Sequence, residues 1–287
     1  VTRREAASPP KPSRVVAVLS GGGAKAAAHL GAMRVLLAAG IVPTHYVGTS
    51  MGAVIASGLA AGLTPEQGAE RLLAVRQRDI FAVDRTAIIR GLWSRALLRP
   101  EPFRKTLEAL LPVARFDELV VPLSVTATDL DSGDQLVFGA GGEDVPLLDA
   151  LCASCALPLF FPPFVLNGRR CADGGLRAVV PLAVAAGIPA DLVVAIDVGS
   201  GFDMLPPERS SPEPPALIRL SGDAQRVLMA SNTALARALW DSTPGRAPLL
   251  WIRPRVRLGE TFAIDQLKWY LAEGERAATS ALAARKP

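Results

Sequence analysis

His45–Tyr46–Val47–Gly48–Thr49–Ser50–Met51–Gly52–Ala53–Val54–Ile55 is the stretch whose reading decides the fold. It reads as a short strand, a sharp turn and the start of a helix. The turn, Gly48-Thr49-Ser50-Met51-Gly52, has the G-x-S-x-G spacing of a nucleophile elbow. A serine that attacks must stand clear of the sheet on a strained, exposed turn. The strand and helix backbones then pass close together two residues either side, where a Cβ would clash. The following helix aims its N-terminal dipole at the reacting centre and favours developing negative charge there. The alternative is an ordinary turn, since Gly and Ser are common.

Outward from the elbow the pattern is β-α-β-α. Val15–Val16–Ala17–Val18–Leu19 is a continuous apolar run, as in a buried parallel strand. Ser20-Gly21-Gly22-Gly23 ends it. The spacing then predicts a helix from Ala24 to Ala39, with Gly40 as C-cap and Pro43 as a stop. Thr64 and Gln67 form a capping box for another helix. Further on, strands are expected at Pro122–Asp129, Gln135–Phe138, Leu192–Val198 and Leu249–Arg253. Helices are expected at Glu101–Leu111, Leu147–Leu157, Val179–Ala186, Leu217–Leu239 and Ile264–Ala284. Phe164–Leu166 and Arg169–Cys171 flank Asn167-Gly168, a preferred hairpin turn. Gly201–Pro215 holds five prolines and reads as a mobile loop. This alternation describes an α/β protein with a doubly wound sheet. Residues 1–14 are expected to be disordered and residues 15–287 to form one domain.

Half of the 287 residues are hydrophobic, which suits a globular core. The net charge of +4 mildly favours anionic partners such as phospholipid surfaces. Aromatic residues are only 5% and no long Lys/Arg run occurs, which argues against nucleic acid. Three cysteines, an odd number, suit a reducing, cytoplasmic compartment better than a disulfide framework. Cys152, Cys155 and Cys171 lack a fourth zinc ligand and read as small buried apolar residues. No apolar signal-peptide region is visible near the N-terminus, although the chain begins at Val rather than Met. Val35–Pro65 carries no Lys, Arg, Asp or Glu, but Gly40, Pro43 and His45 interrupt it and its apolar piece is too short to span a bilayer.

The glycine loop admits two readings. Gly21-x-Gly23-x-x-Ala26 has part of a dinucleotide fingerprint, but no acidic residue follows at the ribose position, and no Gly-Lys-Ser/Thr makes it a P-loop. Consecutive glycines opening a helix also present N–H groups to an anion, which in acyl transfer is the tetrahedral oxyanion. Activation of Ser50 is less simple. The two histidines, His29 and His45, both precede it, so a Ser-acid-His order is impossible. His29 reads as a packed or surface residue, and His45 lies at the wrong end of the elbow strand. A carboxylate is left, and Asp173, in Asp173-Gly174-Gly175 after the hairpin, is the best placed. Its bland alternative is a β-turn aspartate.

These residues resemble the patatin-like phospholipases. Gly21-Gly22-Gly23-Ala24-Lys25 resembles the family's oxyanion motif, Gly48–Gly52 its G-x-S-x-G, and Asp173-Gly174-Gly175 its D-G-[AG]. Ala127-Thr128-Asp129-Leu130 with Gly133, and Ala153-Ser154 with Pro158, Phe161 and Pro162, are similar to the bacterial branch. The likeness runs from about Val15 to Val198. It implies a three-layer α/β/α fold with a mostly parallel sheet, and a Ser50–Asp173 dyad with no cofactor. It also implies a lipid ester substrate of the phospholipase A or lysophospholipase type. The family usually has glycine where Ala26 stands, and often Asn after D-G-G, where Arg177-Ala178-Val179-Val180 stands here. Ala26 prompts the alternative of a silent, lipid-binding or regulatory patatin fold.

Three other features complete the reading. Arg85, Arg90, Arg95 and Arg99 mix with apolar residues across Asp79–Pro100. That segment either lies at an anionic membrane interface, as a peripheral contact, or packs over the core. Arg253, Arg255 and Arg257 alternate, as on one solvated face of a strand end. Trp269-Tyr270 reads as core.

Overall fold

Two cores flank one sheet, and the first strand shows why. In β1 (Val15–Leu19), Val15, Ala17 and Leu19 enter one core while Val16 and Val18 enter the other. A strand covered on both faces has no polar side to show, so every position is apolar. The computed structural model describes residues 12–76, 80, 96–206, 216–258 and 262–285.

The other strands are β2 (His45–Thr49), β3 (Leu123–Asp129), β4 (Gln135–Gly139), β5 (Phe164–Leu166), β6 (Arg169–Asp173), β7 (Leu192–Ile196) and β8 (Leu249–Ile252). They lie in the order β5-β6-β3-β2-β1-β7-β8, with β4 also paired to β3. From β3 to β8 the pairing is parallel. The antiparallel members β4, β5 and β6 gather at one side. This is the mostly parallel sheet expected.

The helices delimited among the described residues are α1 (Ala27–Ala38), α2 (Met51–Ala60), α3 (Pro65–Ala74), α4 (Pro100–Leu110), α5 (Leu147–Ser154), α6 (Leu182–Ala185), α7 (Ala216–Ser242) and α8 (Leu267–Ala284). Side chains of α1, α2, α5 and α8 fill the first core, and those of α6 with Trp240 of α7 fill the second. The result is three layers, α/β/α. Thr64 caps α3 in the capping box read from the sequence. The helices α1 and α8 cross closely because each is glycine at the crossing. A Cβ on Gly31 would collide with the Leu271 carbonyl, and one on Gly274 with the Ala28 carbonyl.

Several boundaries differ from expectation, for local reasons. The helix expected from Ala24 begins with a 3₁₀ turn over Gly23–Ala26, and the α-helix starts only at Ala27. The helix expected over Val179–Ala186 shrinks to α6, entered from Pro181. The carbonyl of Val179 instead accepts from Gly21 N–H at 3.1 Å. Strand β8 stops at Ile252, ahead of Pro254, so the alternating arginines share no strand face. Arg253 reaches inward, its Nη1 at 2.9 Å from Asp197 and its Nη2 at 2.7 Å from Asp203. Arg257 lies 4.6 Å over the Trp269 ring.

Tyr270 is fully buried, and all three cysteines are buried and free. Residues 1–11 and 207–215 lie outside the described residues, as do Arg85, Arg90 and Arg95 of the basic segment. Among the described residues no helix is long and apolar enough to cross a membrane.

Candidate active site

The site lies at the C-terminal edge of the parallel strands, where β1, β2 and β7 end side by side. Ser50 follows β2 directly and carries φ 53°, ψ −133°, a left-handed φ that L-residues seldom adopt. The elbow glycines permit this turn, each against a different neighbour. A Cβ on Gly48 would stand 2.5 Å from Ala53 Cα, so this glycine lets α2 fold back on β2. A Cβ on Gly52 would strike the carbonyls of Leu19 and Ser20, so that glycine seats α2 against the end of β1. Ser50 is buried at 9% exposure, so the turn is not the exposed one expected from sequence.

Asp173 ends β6, and its neighbour β3 separates it from β2 by one strand. The hairpin before it turns on Asn167 (φ 50°) and Gly168 (φ 76°), as the sequence pair predicts. Ser50 Oγ donates to Asp173 Oδ2 at 2.6 Å. Gly175 N–H donates to Asp173 Oδ1 at 2.7 Å, and Thr128 Oγ1 donates to the Asp173 carbonyl at 3.0 Å. The carboxyl group is thus fixed on both sides. Burial raises its pKa to about 6, against the lowering pull of the Ser50 and Gly175 hydrogen bonds.

The glycine loop runs beside Ser50. A Cβ on Gly21 would lie 3.4 Å from Ser50 Cβ. Gly22 is pressed against β7's exit, where a Cβ would stand 2.7 Å from Val198 Cγ2. Gly23 takes φ 61° and opens the 3₁₀ turn that carries Ala24 and Lys25. Ala26 sits at φ −60°, ψ −16°, ordinary helical backbone. Its methyl group is buried in the first core and strains nothing in the loop's backbone.

Two residues at the site carried no clear sequence signal for a role there. Ser154, at the end of α5, accepts from Ser50 N–H at 2.7 Å and donates to the Thr126 carbonyl at 2.6 Å. It ties the elbow to β3. The Ala153-Ser154 pair stood in the sequence, but only the fold brings it under the elbow. His29 is buried in α1, and its Nε2 lies 2.9 Å from the Ser20 carbonyl. A carbonyl only accepts, so Nε2 carries the proton. Burial lowers the His29 pKa to about 4, which keeps the ring neutral. The peptide that begins the glycine loop is therefore clamped at both ends, Ser20 C=O by His29 and Gly21 N–H by Val179.

His45 is not brought to Ser50. It opens β2 at the opposite end of the strand, with Nε2 at 2.9 Å from Ser124 Oγ. The described residues hold no cluster of His, Cys, Asp or Glu that could take a metal ion.

A family model described as patatin-like phospholipase matches residues 17–186. An uncharacterized NTE family protein of Mycobacterium tuberculosis is 32% identical over 185 residues, covering 64% of this chain and 49% of that protein. A second from the same species is 29% identical over 291 residues, covering 93% of this chain and 46% of that protein. The chain thus spans about half the length of these curated relatives. Among solved structures, VipD from Legionella pneumophila superposes with a TM-score of 0.50 at 16% identity, over 96% of this chain and 67% of that one. That likeness is one of fold.

Proposed function

The chain belongs to the patatin-like phospholipase family, and from that premise we propose that it is a serine acyl hydrolase of lipid carboxylic esters, with Ser50 as nucleophile and Asp173 as general base. The observation that carries the reading is the 2.6 Å hydrogen bond from Ser50 Oγ to a buried carboxyl group. An aspartate at its ordinary pKa is a weak base. One raised to about 6 is still ionised at neutral pH and accepts a proton more readily.

Asp173 takes the Ser50 proton as Oγ attacks the ester carbonyl carbon. The carbonyl oxygen becomes an oxyanion facing the glycine loop. Gly21 N–H is already taken by Val179 and Ser50 N–H by Ser154, so the stabilising donors are assigned to Gly22 and Gly23. Collapse of the intermediate breaks the ester bond, and Asp173 returns its proton to the leaving alkoxide. Water then enters, loses a proton to Asp173 and attacks the acyl-Ser50 carbonyl. The fatty acid leaves and Ser50 recovers its proton.

The silent-fold alternative rested on Ala26, whose unstrained helical backbone supplies no reason for a defective loop. The test is release of fatty acid from a panel of phospholipids, lysophospholipids and a short-chain nitrophenyl ester. Wild type is expected to hydrolyse at least one, and Ser50→Ala none. Equal release by both proteins would place the chemistry elsewhere, and release by neither would favour the silent fold.

A further inference from the structure

We propose that the outward face of α7 is a self-complementary interface, on which a second copy of this chain docks with its own α7 antiparallel. The helix has two unlike faces. Inward, Trp240 is buried in the second core, and the Met229 methyl lies in reach of the Gly175 position. Outward, Leu220, Leu228, Leu235 and Leu239 are 64–67% exposed and Val227 is 45% exposed. At 100° per residue these five fall within one stripe together with Ala224, Ser231, Ala234 and Ala238. The stripe contains no charge from Leu220 to Ser242, a length of ~33 Å. Five large apolar side chains in a continuous exposed row exceed the scattered leucines of an ordinary surface.

The charges beside the stripe select the partner and its direction. The helix's five charges, Arg219, Asp223, Arg226, Arg237 and Asp241, fall on the same shoulder, with Arg226 deepest and bonded to Asp223. A twofold axis that reverses one helix against the other brings matching shoulders together. It sets residue 219 opposite 241 and residue 223 opposite 237, so both meetings join Arg to Asp. A parallel pair would turn that shoulder toward the uncharged one that bears Ser221 and Asn232. A lipid surface has no use for alternating Arg and Asp on one side only. Within one chain Asp223 already meets Arg226 at 3.4 Å and Arg237 meets Asp241 at 3.9 Å, and a second copy of the same helix adds opposite charges across the seam to these pairs. The near-central position Ser231 is small, which lets the two backbones approach at the axis.

The test is sedimentation equilibrium of the 287-residue chain, and it does not depend on the catalytic reading. A contact one helix wide predicts a reversible dimer with Kd on the order of 10 μM. Leu228→Glu/Leu235→Glu should weaken it by ~100-fold or more at unchanged helical circular dichroism, since both side chains are exposed. Asp223→Arg and Arg237→Asp should each weaken it several-fold, and together restore it. Ser231→Cys should form a disulfide across the axis under mild oxidation, whereas Leu220→Cys should not, because its copies lie ~30 Å apart. A monomer at all concentrations, a dimer indifferent to the glutamates, or equal cross-linking at 220 and 231 would overturn the proposal. So would a monomeric wild type that floats with phosphatidylglycerol vesicles and loses them in the glutamate variant, which would give the stripe to a membrane.

Discussion

Two aspartates at the same edge of the sheet make the same turn and do different work. Asp173 closes β6 and Asp197 follows β7, and both are 5% exposed. Each accepts from the N–H of a glycine two residues on, Gly175 at 2.7 Å and Gly199 at 2.9 Å. Burial pushes both carboxyl groups up. The difference is what faces the second oxygen. For Asp197 it is the Arg253 guanidinium at 2.9 Å, a fixed cation that opposes the upward push of burial. For Asp173 it is the Ser50 hydroxyl at 2.6 Å, a neutral partner with a proton to give. An aspartate paired with a cation is a strut, and the same aspartate left against a hydroxyl is a base.

The largest effect should come from removing the hydroxyl partnership. Ser50→Ala or Asp173→Asn should lower kcat by ~10³-fold or more, and the double variant should fall no further than the worse single. A double variant much slower than both would mean that the two residues act in separate steps. Next is the strut. Arg253→Met leaves Asp197 buried without its cation, which costs on the order of 3 kcal/mol. The thermal midpoint should drop roughly 6–12 °C while the folded enzyme keeps its kcat within about threefold. Loss of activity in the folded state equal to that of Asp173→Asn would erase the distinction.

Asp173→Asn should have the opposite effect on stability. The folded pKa of Asp173, about 6, lies above its ordinary value of 3.8. Its favourable contribution is therefore present below pH 3.8 and lost as pH rises through about 6. At neutral pH the buried carboxylate costs the fold on the order of 2–3 kcal/mol. The asparagine variant should melt roughly 4–12 °C higher at pH 7.5, with the gain gone near pH 4. A variant that melts lower at both pH values would show that the carboxylate is structural. The smallest effect is expected of Ala26→Gly. Ala26 is already helical, so kcat should not change, and stability should fall by about 0.5–1 kcal/mol from the lost helix propensity. A rise in kcat would mean that the methyl group does distort the loop.

Much of this edge was legible in the sequence because its signals are local. The β1 run, the elbow spacing, the Asn167-Gly168 turn and the Thr64–Gln67 box each decide a few consecutive residues, and the structure repeats them. Asp173 was reachable through its glycine-flanked motif. What escaped depends on contacts between distant segments. Nothing local marks His29 as the holder of a carbonyl nine residues back, or Ser154 as the acceptor for an amide 104 residues earlier. The inward turn of Arg253 needed Asp197, 56 positions away, and the alternation with Arg255 and Arg257 pointed outward instead. The shortening of α6 follows from Pro181 and from Val179 lending its carbonyl to the glycine loop. The basic Asp79–Pro100 segment, expected to meet a membrane or pack on the core, lies mostly outside the described residues.

The central claim is that Asp173, held near pH 6, activates Ser50. The rate at which a fluorophosphonate labels the protein, followed from pH 4.5 to pH 8 with the adduct mapped by mass spectrometry, tests it most directly. The expected result is an adduct on Ser50 and a labelling rate that is level above neutrality and falls about tenfold per pH unit below about 6. Asp173→Asn should lose the labelling at every pH. An adduct on another residue, or a Ser50 rate unchanged across that range, would contradict it.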